Sequence, residues 1–572
     1  MAVIGIDLGT TNSLVSCWKN GEAVLIPNSL GSVLTPSAVS VSQEEILVGD
    51  AAKQRLLTHG NETAVSFKCF MGTKKKYQLG SQIFTPIELS ALVLKKLKQD
   101  AQEYLNEPIE EAIITVPAYF NDRQRTDTKL AAKIAGLKVE RLINEPSAAA
   151  LAYQTEQEKE EAVLLVIDFG GGTLDISLVE CFDNVIEIEA VTGDNHLGGD
   201  DIDALIYTDF IGRHPELSAL DAAGIAGLKT TLIQAKCALG SHEEYVFSYT
   251  YGEITIEDCI RQEQLLKLGL PVLERMRYLC GKAVHDGQCS IDEIDDVVMV
   301  GGSSNLGFVQ KFIEELFGKP PIVMANIDEV VARGAGIYAG IRMRAEDIKD
   351  RMMTDVCPFT LGTNVVWGQE DERPHLCVIL ERNCPLPFSK TIRLLPVYDY
   401  QDMMRIGVYQ GEEYYVDENV CLGELVIPIR PRPVEKGEGV CVTFSYDING
   451  VLQVEAENSM KEVVRKLIAN DALSEKEIEE SLRRFEQMKL PDAEEEEYQL
   501  LLAKLMWLFQ QQIGDTRIQT GMVVERLTRA RESNKHHLYQ KEREFSQWYL
   551  VQTSMTLNPF ASKLLLEEED DD

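Results

Sequence analysis

The rhythm of apolar and polar positions divides the chain into three textures. Through residue 349, compact apolar runs such as AIITVPAYF (112–120), VERLIN (139–144) and DDVVMV (295–300) alternate with helical stretches such as ELSALVLKKLKQDAQEYL (88–105) and FVQKFIEELFG (308–318). Runs rich in Val and Ile read as strands and the longer periodic stretches as helices, so this part is expected to be α/β. From 357 to 470 the pattern shortens to alternating runs, KTIRLLPVY, MMRIGVYQGE and VCVTFSYDINGVLQVEA. Asn449-Gly450 between two such runs is a two-residue hairpin signal, and Pro358, Pro385, Pro387 and Pro396 fall at run ends, so an antiparallel β module is expected. Beyond it, Ser474 and Glu477 form a capping box and Ile478, Leu482 and Phe485 share one helical face. The rest is expected to be mostly helical, closing on an acidic, solvated tail from Glu567 to Asp572.

Two apolar runs in the first part end alike. VIGIDLGTTNSLVSCW closes on Asp7 and turns at Gly9, Thr10 and Thr11; LLVIDFGGGTLDISLVE closes on Asp168 and turns at Gly170, Gly171, Gly172 and Thr173. Each reads as strand, tight turn, strand, and the pair implies duplicated lobes. If the hairpins face each other across a cleft, their backbone N–H groups can approach phosphate oxygens while Asp7 and Asp168 take a hydrated Mg²⁺. ATP suits such a cleft. One Asp-x-Gly-x-Thr alone is equally well an ordinary hairpin with an Asx turn; the repeat carries the argument. No Gly-Lys-Ser/Thr follows either turn and neither opens a helix, which sets aside the Walker and dinucleotide-binding patterns. A third turn, Gly301, Gly302, Ser303 and Ser304, stands between a strand and a helix and could pack against a nucleoside.

Composition narrows the classes. The chain has 572 residues, 45% of them hydrophobic, enough for several domains with their own cores. A net charge of −36 argues against sequence-independent binding of nucleic acid or of an anionic membrane surface, and Lys74, Lys75 and Lys76 are too few to change that. The twelve cysteines are scattered, without Cys-x-x-Cys or Cys/His clusters, so neither a zinc site nor a disulfide framework is indicated and a reducing cytoplasm fits. No signal-peptide pattern opens the chain and no apolar run reaches membrane-spanning length.

GIDLGTTNS, VPAYFND, INEPSAAALAY, DFGGGTLDIS and VMVGGSS, in this order and followed by a β module and helices, resemble the DnaK-type heat-shock chaperones over nearly the whole chain. The short helical end and IANDALSEKEIEESLRR resemble the divergent HscC branch more than DnaK itself. The resemblance implies an actin-like ATPase domain at 1–349, a linker at 350–356, a β-sandwich peptide-binding domain at 357–470, a helical lid at 471–566 and the tail at 567–572. It implies a cytoplasmic monomer using ATP/ADP and Mg²⁺, with K⁺ as an optional ion, that holds extended apolar segments of unfolded proteins and works with a J-domain cochaperone, without nucleic acid or membrane; the need for an exchange factor stays open.

Residue by residue, the resemblance implies that Asp7 and Asp168 hold Mg²⁺ through water. Thr10, Thr11, Asn12 and the 170–173 turn would wrap the phosphates, with Gly198, Gly199, Asp200, Lys236, Gly301, Gly302, Ser303 and Asp328 completing the nucleotide site. Lys68 would neutralise charge at the γ-phosphate, and Glu145 and Asp175, with Thr173, would place the attacking water. That division suits phosphoryl transfer, which asks for positioning and charge neutralisation. Taken alone, Lys68 would be read as a surface lysine.

The same resemblance makes Pro117 and Arg125 the levers between hydrolysis and peptide holding, where a strand end and a solvated helix face are the plainer readings. The linker departs from the family's leucine run, with Arg351, Met352, Met353 and Thr354 before Asp355, so weak docking on the ATPase domain is expected. Leu376, Leu394, Val397, Met404 and Ile406 would line the peptide groove, against an ordinary β-core reading. Arg141, Asn144 and Asp355 would meet the cochaperone, against a local salt bridge. In the adenosine pocket, Ile233, Asn305 and Gly240 stand where an acid, an arginine and a serine are usual, so weaker nucleotide binding is expected. Two rivals remain. A sugar kinase of the same architecture would need a base for a hydroxyl and would carry no β module; a filament-forming actin relative would end near residue 350.

Overall fold

The computed structural model describes residues 2–557, apart from 43–44, 158–160, 183–184, 241, 253, 325, 346–347, 349–350, 367–372, 448–451, 468–474, 488–489, 513 and 534. Duplication is visible in the strand order. In the first lobe the main sheet runs Lys138–Asn144, Glu111–Val116, Val3–Asp7, Asn12–Lys19, Glu22–Leu25; in the second it runs Ile322–Val323, Asp296–Val300, Glu161–Phe169, Leu174–Phe182, Val185–Asp194. In both, the strand carrying the key aspartate at its end or one residue before it is parallel to one neighbour and antiparallel to the hairpin partner that follows it. These central strands are buried on both faces, which is why they read as unbroken apolar runs. The Ala-rich helix Glu145–Gln157 and the Gly-rich Val330–Arg342 pack closely in the core joining the lobes.

The second sheet does not stop at the lobe. Met352–Val356, the expected linker, pairs parallel with Val185–Asp194 (Ile186 opposite Met353) and antiparallel with Pro385–Leu386 of the β module (Asp355 opposite Leu386). The linker is thus docked through its main chain, with Arg351 preceding the paired residues and Thr354 among them. Main-chain pairing is indifferent to side-chain polarity; Met353, Asp355 and Val356 are buried, while the Arg351 guanidinium reaches aside to Thr155 Oγ1.

The β module is two four-stranded antiparallel sheets. One runs His375–Leu380, Leu361–Val365, Met403–Gln410, Val420–Pro428; the other runs Phe388–Leu394, Val440–Tyr446, Leu452–Glu457, Val463–Leu467. Asn449-Gly450 lies outside the described residues; on its two sides Tyr446 pairs with Leu452, five residues intervening, an odd number where a two-residue turn would leave an even one. Alternating side chains from both sheets fill one core.

The helices that follow turn to the first lobe. Glu475–Gln487 sets Phe485, 1% exposed, into that lobe's apolar core, with Leu482 packed at its edge. So the amphipathic face read from Leu482 and Phe485 is real; its Ser474 cap and the acidic tail lie outside the described residues. Beneath it, the helix Pro86–Leu105 is capped by Thr85 and Glu88: Glu88 Oε2 accepts from the Thr85 N–H at 2.9 Å, while Oε1 accepts from Ser481 Oγ at 3.0 Å. Lys96, on the same helix, pairs with Asp100 at 2.6 Å and with Glu496 of the helix Ala493–Gln511 at 2.8 Å, all three buried. Ala493–Gln511, Gly514–Glu532 and His536–Leu557 form a bundle around Leu505 and Leu527. No helix among the described residues is long and apolar enough to cross a membrane.

Candidate functional site

Where the lobes meet, the two Gly/Thr turns touch. A Cβ on Gly171 would lie 2.6 Å from Thr11 Oγ1, so only glycine lets the second turn approach the first this closely. Gly170, Gly171, Gly172 and Thr173 fold back on themselves, Gly170 N–H donating to Thr173 O at 3.0 Å. Gly198 and Gly199 open the helix Gly199–Arg213 against this turn, with Gly199 N–H on Gly170 O and Asp200 N–H on Gly171 O. The start of that helix therefore faces the cleft, where a phosphate would find a favourable dipole. Gly9 and Asn12 bound the first turn.

Three aspartates converge below the turns. Asp7 ends Val3–Asp7 and accepts from Thr115 Oγ1 at 2.9 Å; Asp168 and Asp175 lie directly opposite one another in the second hairpin. Burial pushes the Asp7 carboxyl up to about 7, with the nearby Glu145 charge adding to it. Burial, then Glu145, likewise raises Asp175 to about 7, and Asp168 is pushed well above the carboxylate range by burial and by its acidic neighbours. Lys68 answers part of this charge. Its Nζ donates to Glu145 Oε1 at 2.7 Å, both groups are buried, and although burial works against the ammonium, Glu145 and Asp7 hold its pKa above the usual lysine range. The surface-lysine reading does not hold.

The acid-rich cleft is short of positive charge. Among the described residues no three His, Cys, Asp or Glu side chains are placed as direct ligands of one metal ion. Asp175 Oδ1 accepts from the Tyr119 N–H at 2.9 Å, and its Oδ2 is buried with no protein partner. Burial raises Asp200 to about 6 and also raises Asp328.

The third turn joins the site: Ser303 Oγ donates to Gly170 O at 2.8 Å, and Gly301 (φ +82°) leaves room for Asp168 Oδ1, which a Cβ would meet at 2.5 Å. Gly302 lies beside Asp328. On the helix Ala222–Ala238, Lys236 pairs with Asp203 at 2.8 Å. Ile233 is 40% exposed, one turn away, and Asn305 is exposed beside Gly240. The acid facing Lys236 therefore comes from another helix, which sequence spacing around Lys236 could not show.

From the cleft a polar chain leads to the linker. Pro117 follows Glu111–Val116, and its carbonyl accepts from the Phe120 N–H. Arg125, buried rather than solvated, donates to Phe120 O and Ala118 O, both at 3.0 Å, and to Asn144 Oδ1 at 2.7 Å; Asn144 Nδ2 donates to Asp355 Oδ1 at 2.6 Å. Arg141 donates to Tyr338 OH and to Met353 O. Arg141, Asn144 and Asp355 are thus brought together, with Asn144 and Asp355 turned inward on the docked linker. Leu394, Met404 and Ile406 belong to the sandwich core, while Leu376 and Val397 are half-buried.

Several contacts had no signal in the motifs. Tyr446 OH donates to Asp122 at 2.8 Å, and burial raises Asp122 to about 7. Arg123 Nη2 donates to Cys421 O at 2.6 Å. Arg382 forks onto Asp286 at 2.7 and 2.8 Å, holding that carboxyl below its usual range, and the Val191 N–H donates to Asn383 Oδ1 at 3.0 Å. Each joins residues far apart in sequence, which neither periodicity nor spacing encodes.

The family described as Hsp70 protein matches residues 3–558. The chain is similar to a protein named chaperone protein DnaK from Thermosipho africanus (strain TCF52B), 39% identical over 517 residues, spanning 86% of this chain and 85% of the relative. Its likeness to the chaperone protein DnaK of Thermotoga neapolitana is 39% over 508 residues, 85% of this chain and 84% of that one.

Proposed function

The chain belongs to the Hsp70 family, and from that premise we propose that it is an ATP-dependent chaperone in which the nucleotide held between the lobes governs how a β-sandwich grips extended apolar peptide. The proposed division is the ATPase domain at 1–349, linker at 350–356, peptide-binding domain at 357–470, lid at 471–566 and tail at 567–572. Unfolded polypeptides and a J-domain cochaperone are its proposed partners, the latter at Arg141, Asn144 and Asp355. Leu376, Leu394, Val397, Met404 and Ile406 are proposed to line the groove, and Pro117 and Arg125 to couple it to the cleft.

One observation carries the reading: Asp175 Oδ2, buried and unpartnered, beside the Lys68–Glu145 pair in the cleft where both turns meet. Mg²⁺, carried by waters on Asp7 and Asp168, would supply charge neutralisation at the phosphate oxygens. The turns and the Gly199–Arg213 helix start orient the phosphates with N–H donors. Lys68 engages Glu145 at Oε1, and Glu145, Asp175 Oδ2 and Thr173 accept from and orient the attacking water. Lys68 stabilises negative charge that grows at the transferred group. In Lys68→Ala, ATP binding is expected to persist while single-turnover hydrolysis falls by about 100- to 1000-fold. Hydrolysis at the parent rate would place the catalytic site elsewhere.

A further inference from the structure

Cys357 and Cys384 meet at the junction of linker and sandwich. The antiparallel register that sets Val356 opposite Pro385 continues one residue to this pair, and the Cys357 N–H donates to Cys384 O at 2.9 Å. Each cysteine precedes a proline, Pro358 and Pro385, which restricts both to extended backbone. Opposite positions of an antiparallel pair stand about 4.5–5.5 Å apart at Cα, inside the range a disulfide spans. Cys357 lies in the sandwich core cluster with Cys384 packed against it, and the Cys357 thiol donates to Phe359 O at 3.0 Å. Both are thiols here, as are the other ten cysteines.

We propose that Cys357 and Cys384 are a reversible thiol–disulfide modification site, closed by a peroxide-class oxidant. The two residues differ in the way such chemistry asks. Cys384 is half-buried where Cys357 is buried, and its interaction with Cys357 holds its thiol below the ordinary value, so it is the sulfur that meets the oxidant first. Cys357 is buried, and burial raises its thiol well above that value, so it acts second. In the first step the Cys384 sulfur attacks the peroxide: an S–O bond forms, the O–O bond breaks, and hydroxide leaves and takes a proton as water. In the second, the Cys357 sulfur attacks the sulfenic sulfur: the S–S bond forms, the S–O bond breaks, and a second water carries off the Cys357 proton. Two thiols supply two electrons to one peroxide.

The location gives the bridge a consequence. Cys357 directly follows the strand laid on Val185–Asp194, and Cys384 directly follows Arg382 and Asn383, the residues bound to Asp286 and to the Val191 N–H of the second lobe. Closing the bridge makes linker and docking loop one unit, which leaves the second lobe as a whole or not at all. In the full-length protein treated with hydrogen peroxide, mass spectrometry of a non-reducing digest is expected to show a Cys357–Cys384 cross-linked peptide short of two hydrogens. Tryptic cleavage after Arg351 is expected to slow several-fold, returning to the starting rate on reduction, while C384S shows neither effect. C357A, which keeps Cys384, should carry Cys384 to stable sulfenic or sulfinic acid. Recovery of Cys357 as a free thiol beside an oxidised Cys384 in the parent protein would overturn the proposal. So would equal cross-linking in a urea-unfolded chain, or an Arg351 cleavage rate unmoved by the bridge.

Discussion

The two surfaces through which the rest of the chain holds the lobes are made of different contacts. The sandwich meets them mainly through separate polar links, Tyr446 to Asp122, Arg123 to Cys421 O, Arg382 to Asp286 and Asn383 to Val191, with one ring contact, Tyr119 to Phe359 at 4.3 Å. The C-terminal helices instead sink Phe485 into an apolar core and enclose the Lys96, Asp100 and Glu496 charges. Each polar link exchanges for water at a net cost of about 0.5–1.5 kcal/mol, whereas a buried phenyl ring loses several times that when pulled out. The sandwich face is therefore suited to release and re-formation, and the helix face to a firmer hold.

Phe485→Ala should break this contrast most. It removes about 3–5 kcal/mol from the helix contact, so hydrogen exchange across Glu475–Gln487 should accelerate by two orders of magnitude or more. Unchanged exchange would show that the ring is not the anchor. Glu496→Gln, which keeps the shape and withdraws the charge facing Lys96, should loosen the same face by about 1.5–3 kcal/mol, read as the same exchange at Ala493–Gln511.

The sandwich face carries a pH signature. Asp122 has a pKa of about 7 when docked and an ordinary value of 3.8 when exposed, so docking takes up a proton between those limits. Its contribution is full below about 4, declines as pH rises, and is gone above about 7. Asp122→Asn should flatten the pH dependence of docking, followed by a fluorophore pair across the interface; a slope surviving the substitution would assign the proton elsewhere. The smallest effect is expected in the linker. Arg351→Leu with Thr354→Leu adds some tens of Å² of apolar burial, about 1 kcal/mol, and should raise peptide-stimulated ATP hydrolysis modestly. No rise would leave main-chain pairing as the whole of linker docking.

What could be read from the sequence was local. The hairpins of Asp7 and Asp168, the third turn at Gly301 and the alternating strands before and after Asn449-Gly450 each announce themselves within a dozen residues, because turn chemistry and side-chain period act at that range. Phe485 was legible as one face of a helix, but its partner, a lobe some 390 residues earlier, was not. The pairing of Met352–Val356 gave no sign because backbone hydrogen bonds do not depend on side-chain polarity, and the acid facing Lys236 gave none because Asp203 sits on the Gly199–Arg213 helix. Arg125 shows the same limit: a helical arginine reads as solvated until Ala118 O, Phe120 O and Asn144 close around it.

The two carboxylate oxygens of Glu88 serve different neighbours, Oε2 closing the cap of Pro86–Leu105 and Oε1 holding Ser481. Departure of the C-terminal helices would therefore wet one oxygen and leave the helix end shut, so the lobe does not fray each time it is uncovered. The firmer of the two holds is thus kept separate from the part it holds.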